Sequence, residues 1–84
     1  MSATPSPDSP VPAYLQVAEA LASRIEADEF EFQLPSERKL TREYGCSYDT
    51  LRHAIKVLRG RELVITRHGY GTFVKAAVRA AGLI

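Results

Sequence analysis

Two helix starts stand eleven residues apart in this chain, at Ser36 and Ser47, with Gly45 between them. Pro35 restricts Leu34 to an extended conformation, and Ser36 is a favourable N-cap for the helix that follows. Gly45 readily adopts the left-handed conformation that ends a helix, and Ser47 is again a favourable N-cap. Because the interval holds a helix of about two turns and little more, the spacing predicts two helices joined by a tight turn.

Apolar side chains recur at helical spacing on both sides of this turn. In the first segment they occupy positions 14, 17, 18, 21 and 25, and after Ser47 they occupy positions 51, 54, 55 and 58. Intervals of three and four residues place such side chains on one face of an amphipathic helix. The pattern predicts a first helix that begins near Tyr14 and a third helix, 47–59, that begins at Ser47.

Two β-prone runs, 63–66 and 72–74, follow the third helix and flank the loop 67–71, which contains two glycines. Short runs of this kind around a glycine-containing loop predict a β-hairpin. Helix, helix, tight turn, helix and hairpin follow one another as in a winged helix-turn-helix. The predicted fold class is therefore mainly α with a small β-hairpin, with three helices plus a wing. The alternative is a generic small α+β domain in which the apolar stripes only form a core.

The chain divides into three expected segments. Residues 1–13 contain four of the five prolines and no hydrophobic periodicity, so they are predicted to form a disordered N-terminal arm. Residues 14–75 are predicted to form the domain itself. Residues 76–84 are a short C-terminal tail with apolar side chains, which we expect to pack on the first helix or on a second copy of the chain.

The net charge of +1 conceals an uneven distribution. Residues 14–35 contain five acidic side chains and one basic, whereas residues 36–75 contain nine basic and four acidic. A basic half can bind a polyanion such as nucleic acid. Since an ordinary solvated surface would also account for these charges, the exposed face of the third helix has to decide between the two.

Several classes of protein are excluded by what the sequence lacks. It has one cysteine, so no disulfide forms within the chain. No apolar run approaches the roughly 20 residues of a membrane-spanning helix, and the N-terminus does not resemble a secretory signal. The only two histidines, His53 and His68, have no carboxylates at metal-ligand spacing, and no nucleophile–base pair is visible. We predict a cytoplasmic protein that is not an enzyme and has no metal, cofactor or membrane segment.

The first turns of the third helix carry the side chains expected to read DNA, because this part of a helix-turn-helix enters the major groove. Arg52 is the strongest candidate, since its guanidinium matches O6 and N7 of guanine and contributes about 1–3 kcal/mol of discrimination. Asp49 could orient Arg52, which we favour, or accept from a cytosine amino group, or only face the helix dipole. Tyr48 could contact the DNA backbone or a thymine methyl group, or only face solvent.

Contacts to the DNA backbone and to the minor groove are expected from a second set of residues. Free N–H groups at helix N-termini bind phosphate, so the backbone candidates are Ser36, Ser47 and Thr50, with Lys56 further along the third helix. A slim loop can approach the minor groove, whose negative potential attracts Arg and His. The wing candidates are therefore Arg67, His68 and Gly69, unless this loop serves only the geometry of the hairpin.

Four blocks of the sequence carry a family resemblance. They are, in chain order, Leu34-Pro35-Ser36-Glu37-Arg38-Lys39-Leu40, Tyr44-Gly45-Cys46-Ser47, Thr50-Leu51-Arg52 and His68-Gly69-Tyr70-Gly71-Thr72-Phe73-Val74. In this order and near this spacing they resemble the N-terminal domain of the GntR family of bacterial transcriptional regulators. The resemblance implies a DNA-binding regulator, by family default a repressor. It also implies DNA contacts for Arg52, His68 and Gly69, and it adds Arg38 to the base-reading candidates.

Three positions depart from the family's pattern. Tyr48 stands where the family usually has arginine, and Asp49 where it commonly has a small hydroxyl residue. Glu62 stands where a glycine usually closes the third helix, while Gly60 is displaced into the last turn. Since a left-handed conformation would cost Glu62 about 1 kcal/mol, we expect the helix to end early at Gly60 instead. Family members also join this domain to a larger effector-binding domain, which residues 75–84 are too short to form, so we expect a short stand-alone member or a fragment.

These observations predict a regulator that reads the major groove with helix 47–59 and the minor groove with wing 67–71. The expected partner is double-stranded DNA with a pseudo-palindromic operator, bound by a homodimer at the nucleoid, because one small domain makes few base contacts. The rival interpretation is a winged helix used for protein interaction or dimerisation without specific DNA binding.

Overall fold

The computed structural model describes residues 4–84, which form four helices and one antiparallel hairpin. The elements are α1 (Ala13–Glu26), α2 (Glu37–Tyr44), α3 (Tyr48–Gly60), β1 (Val64–Arg67), β2 (Gly71–Val74) and α4 (Lys75–Ala80). The first five follow the predicted order, so the winged helix-turn-helix fold is confirmed. No helix within residues 4–84 is long and apolar enough to cross a membrane.

The core lies where the apolar stripes of α1 and α3 meet. Leu21 of α1 and Leu51 and Leu58 of α3 have no exposed surface, and Tyr44 of α2 is 1% exposed. Val64 of β1 closes the same cluster from the hairpin side. Every apolar position of the predicted stripe on α3 is buried, so the opposite face of that helix is left to solvent.

Both predicted helix starts are capped as expected. The Ser36 side chain accepts a hydrogen bond from the Lys39 N–H at 3.2 Å, and the Ser47 side chain accepts one from the Thr50 N–H at 3.1 Å. Gly45 ends α2 with φ 60° and ψ 39°. This left-handed glycine lets the chain turn sharply and fixes where α3 begins.

The hairpin is extended by a third stretch of chain. β1 and β2 pair in the register Val64–Val74, Ile65–Phe73, Thr66–Thr72 and Arg67–Gly71. On the other side of β2, Gln33 forms a backbone bridge to Phe73. The connection between α1 and α2 is therefore tied to the wing, which the sequence analysis did not predict.

The C-terminal tail forms a helix that packs on the hairpin. α4 contacts mainly β1 and β2, and Val78 is its buried residue at 5% exposure. The tail was expected to pack on the first helix or on a second copy of the chain, and neither its helical conformation nor its position on the hairpin was predicted. Leu83 and Ile84 remain more than half exposed beyond it.

The predicted disordered arm, 1–13, falls outside the described residues at positions 1–3, and α1 already begins at Ala13. Residues 4–12 contain no helix or strand, but they contact the Gln16 side chain. Its amide oxygen accepts from the Ser6 N–H at 2.8 Å, and its amide nitrogen donates to the Val11 carbonyl at 2.8 Å.

The end of α3 differs from the expectation. The helix stops at Gly60, as expected, but Glu62 nevertheless adopts a left-handed conformation with φ 60°. The Glu62 N–H donates to the Arg59 carbonyl at 2.9 Å, and the Leu63 N–H donates to the Leu58 carbonyl at 3.0 Å. This pair of bonds is a Schellman motif. It satisfies two carbonyls that a helix end leaves without partners, which explains why the strain at Glu62 is tolerated.

Exchanging these two residue types is expected to stabilise the fold. In the double variant Gly60→Ala, Glu62→Gly, alanine restores helix propensity at a position where no atom lies within 4 Å of a new Cβ. Glycine at position 62 removes the left-handed strain. Together the changes should raise the free energy of unfolding by about 1–2 kcal/mol. Each kcal/mol corresponds to an increase in Tm of about 4–8 °C, which thermal denaturation followed by circular dichroism measures.

The single variants Glu62→Gly and Glu62→Ala separate backbone strain from the loss of an ion pair. Both remove the carboxylate that accepts from Lys75 Nζ at 2.6 Å. Since the Glu62 side chain is 73% exposed, that pair contributes little. Glu62→Gly should melt above Glu62→Ala, and equal melting temperatures would show that the conformation at position 62 carries no strain.

Candidate nucleic-acid interface

The first two turns of α3 present a polar face to solvent. Tyr48, Asp49, Arg52 and Lys56 are all exposed. The helical period that buries the apolar stripe of α3 turns Asp49, Arg52 and Lys56 away from it, whereas Tyr48 is exposed because it lies in the first turn. Tyr48, Asp49 and Arg52 lie close behind the tight turn, and Lys56 lies one turn further along the helix.

Arg52 is hydrogen-bonded to a residue of α2 and lies over an aromatic ring of its own helix. Its Nε donates to Oε1 of Glu37 at 3.2 Å, and its guanidinium lies 5.8 Å from the centre of the Tyr48 ring. The expectation that Asp49 orients Arg52 is therefore wrong, because the tight turn brings the start of α2 beside α3. The bond uses Nε, so the two terminal nitrogens of Arg52 have no hydrogen-bond partner within residues 4–84.

The start of α2 and the wing face each other across an open cleft. Its lining includes the N-cap Ser36 and Glu37 on one side and Arg67, His68 and Gly69 on the other. A smaller depression beside it is lined by Glu37, Arg52 and Thr66. Residues that the sequence analysis assigned separately to α2, α3 and the wing therefore border one continuous surface.

Four other predicted site residues, Arg38, Asp49, Thr50 and Lys56, line neither the cleft nor the depression. Arg38 is exposed in the first turn of α2. Asp49 and Lys56 are exposed on α3, and neither forms an ion pair with another described residue. Thr50 is half-buried, and its hydroxyl accepts a hydrogen bond from the Ser47 hydroxyl at 3.0 Å. The structure therefore assigns none of these four groups a particular role.

The wing tip is shaped by a tight turn. The Tyr70 N–H donates to the Arg67 carbonyl at 2.9 Å, and Gly69 has φ 84°. His68 and Gly69 lie at the exposed end of the turn. The hairpin is braced against α3 where Arg59 donates from Nη1 to the Thr66 hydroxyl at 3.1 Å.

Sequence reasoning missed the side chains that hold this surface together. The pairing of Glu37 with Arg52 has no signal in the sequence, and neither has Gln33, whose amide donates to the Tyr70 carbonyl at 2.7 Å. His53 stacks on Tyr14 with ring centres 3.5 Å apart, which ties α3 to the start of α1. In the turn, burial raises the pKa of the Cys46 thiol above its usual value, which favours a packing role over a reactive one.

The tight turn, the exposed α3 face and the adjoining hairpin define a winged helix-turn-helix domain, an architecture that docks its second motif helix into DNA. A sequence profile described as bacterial regulatory proteins, gntR family, matches residues 13–74. The chain therefore belongs to the gntR family of bacterial regulatory proteins, a family of regulators rather than enzymes.

Three known proteins are similar to this chain. The chain is 38% identical over 68 residues to the HTH-type transcriptional repressor NagR of Bacillus subtilis, covering 79% of this chain and 28% of NagR. It is 41% identical over 66 residues to the HTH-type transcriptional regulator Rv0792c of Mycobacterium tuberculosis, covering 76% of this chain and 24% of that protein. AraR(DBD), solved in complex with operator ORX1, superposes with a TM-score of 0.74 at 34% identity, over 82% of this chain and 88% of that chain. The chain thus spans between 24% and 28% of the length of the two regulators.

Proposed function

We propose that this chain binds a specific double-stranded DNA sequence through the exposed face of α3 and thereby regulates transcription. The observation that carries the proposal is the placement of Arg52. It is 65% exposed, is held through Nε by Glu37, and has both terminal nitrogens without partners within residues 4–84. A guanidinium that is held through Nε can donate from both terminal nitrogens, which suits it to bidentate recognition of a base edge. The likeness to AraR(DBD) supports the proposal, since that domain was solved on operator DNA.

The residues divide into three roles under this proposal. Arg52, with Arg38, Tyr48 and Asp49 around it, reads base edges in the major groove. Ser36, Ser47, Thr50 and Lys56 contact phosphates and set the position of α3 on the duplex. Arg67, His68 and Gly69 approach the adjacent minor groove, whose negative potential attracts basic side chains.

Repression, through a homodimer on a pseudo-palindromic operator, is the regulatory mode we propose. NagR, which the chain resembles, is a repressor, and a bound domain acts as one when its operator overlaps a promoter. A single domain of this size makes few base contacts, so two copies on half-sites about 34 Å apart would supply the missing affinity. The place of action would be the chromosome in the cytoplasm.

Selection of bound duplexes from a random double-stranded pool tests the proposal. The 84-residue chain should enrich one motif with related half-sites, and fluorescence anisotropy should give that duplex at least about tenfold tighter binding than a scrambled one. The affinity should fall steeply with added salt, because phosphate contacts release counterions. Equal binding to all duplexes at every salt concentration would overturn the proposal.

Substitutions at Ser47 are expected to separate helix capping from DNA binding. Asp caps a helix about as well as Ser, so Ser47→Asp should stay within about 0.5 kcal/mol of the native stability, whereas Ser47→Ala should lose about 1 kcal/mol. The added carboxylate would face a phosphate and should weaken DNA binding by at least about tenfold. Thermal melts and anisotropy on both variants provide the comparison, and native-like DNA binding by Ser47→Asp would remove Ser47 from the interface.

A dimerisation module without specific DNA binding is the second candidate. The observation that favours it is a groove on the outer face of the hairpin, lined in part by the exposed side chains of Tyr70, Leu83 and Ile84. Sedimentation of the chain, run beside the DNA selection, discriminates between the two candidates. Tight self-association together with an unenriched DNA pool would favour this second function.

A further inference from the structure

Gln33 joins the connection between α1 and α2 to the tip of the wing. Its Nε2 donates to the carbonyl of Tyr70 at 2.7 Å. The two residues are 37 positions apart in the chain, so this bond fixes one surface segment against another.

Backbone hydrogen bonds on both sides of Gln33 hold it in place. The Leu34 N–H donates to the Thr72 carbonyl at 2.9 Å, and the Val74 N–H donates to the Phe32 carbonyl at 2.8 Å. Gln33 is therefore part of a short third strand alongside β2, and these backbone bonds fix the direction in which its side chain leaves the strand.

Gly71 leaves room for this contact. A Cβ built on Gly71 would lie 2.5 Å from Nε2 of Gln33, and the backbone there has φ 118°. Only glycine meets both conditions, the close approach and the conformation. The lack of a side chain at Gly71 therefore allows the Gln33 amide to reach the wing.

The contact lies beside the candidate interface. Gln33 lines the same cleft as Ser36, His68 and Gly69, and it precedes the N-cap of α2 by three residues. One side chain therefore links the wing tip to the start of α2. An untethered loop of this kind would have to be ordered when it binds, and that ordering opposes binding.

We propose that Gln33 is a positioning residue that holds the wing tip at a fixed place relative to α2 and α3, so that Arg67 and His68 meet DNA without further ordering. This inference rests on the proposed DNA-binding function, although the tether itself is a property of the free protein.

The variant Gln33→Met tests the tether, because methionine has a similar length but no donor. It should weaken binding to the selected duplex by about three- to tenfold. In a double-mutant cycle with the wing variant Arg67→Ala, His68→Ala, the Gln33→Met effect should largely disappear, because a wing without contacts has nothing to position. A purely structural role would lower affinity by the same factor in both backgrounds, and that result would overturn the inference.

Amide relaxation of residues 68–71 in the free protein gives a second readout. These amides should gain motion in Gln33→Met while those of α3 stay unchanged. Gln16→Met is the matched control, since it removes the side-chain bonds to Ser6 and Val11 and should alter neither the wing nor the affinity. If the native chain enriches no DNA, the proposed function is wrong, but the amide relaxation of residues 68–71 still shows whether Gln33 holds the wing in place. If the native chain binds DNA and the loop of Gln33→Met stays as ordered as before, the tether fails alone.

Discussion

Replacing Arg52 and Arg38 together with alanine is expected to weaken binding to the selected operator by about a hundredfold or more, with the domain still folded. Each guanidinium that reads a base edge contributes about 1–3 kcal/mol. Both side chains are exposed, and the pair of Arg52 with Glu37 is 65% and 44% exposed, so its loss should cost little stability. Anisotropy gives the affinity, and a thermal melt checks the fold.

Two single variants show whether the loss reflects base reading or merely charge. Arg79→Ala removes one positive charge from α4, on an exposed residue away from the interface, and should change affinity less than about threefold. Arg52→Lys keeps the charge but lacks the planar fork. It should retain binding to scrambled DNA while losing preference for the operator. If the double variant Arg52→Ala, Arg38→Ala binds DNA as tightly as the native chain, the proposed DNA-binding function is wrong and the dimerisation module is the remaining candidate.

Leu51→Ala is expected to have the largest effect on stability, a loss of about 3 kcal/mol. Leu51 has no exposed surface and belongs to the cluster that joins α3 to α1. Truncation removes apolar contacts and leaves a cavity that neighbours on two helices cannot close. Because a domain of this size holds only about 4–12 kcal/mol in total, Tm should fall by roughly 12–24 °C.

The same substitution at Leu83 is the matched control. Leu83 is 64% exposed, so Leu83→Ala should stay within about 0.5 kcal/mol of the native chain. At a temperature where Leu51→Ala remains folded, its DNA affinity should be close to native, in contrast to Arg52→Ala. A native-like melting temperature for Leu51→Ala would contradict the assignment of α3's buried face.

Local signals in the sequence were sufficient to predict α1, α2, α3, the tight turn and the hairpin. Ser36, Gly45 and Ser47 act on residues within one turn of themselves, so their effect can be read without knowing the rest of the fold. The stripe through Leu51 and Leu58 has the same property, since its period alone decides which face is buried. The outward face of α3 then follows by exclusion.

Contacts between distant segments could not be read from the sequence. Glu37 and Arg52 are 15 residues apart and Gln33 and Tyr70 are 37 apart, and only the folded arrangement brings each pair together. Asp49 was the nearest acid along the helix, which is why it was preferred as the partner of Arg52.

Two further differences arise where intrinsic propensity is overridden, at α4 by packing and at Glu62 by hydrogen bonding. α4 is six residues long, too short for a helical period to appear or for a helix to persist without tertiary packing. It forms because Val78 is buried against the rest of the fold. At Glu62, intrinsic preference disfavours the left-handed conformation, but two hydrogen bonds at the end of α3 outweigh it.

The proposed function requires that the first half of α3 and the wing are the surfaces that contact DNA. Amide chemical shifts recorded while the selected duplex is titrated into the labelled chain test this directly. The largest changes should fall at 47–56 and 67–71, with smaller ones at 36–39, while α4 and the second half of α1 stay unperturbed. Changes confined to α4 and the outer face of the hairpin, with Arg52 and its neighbours unmoved, would contradict it.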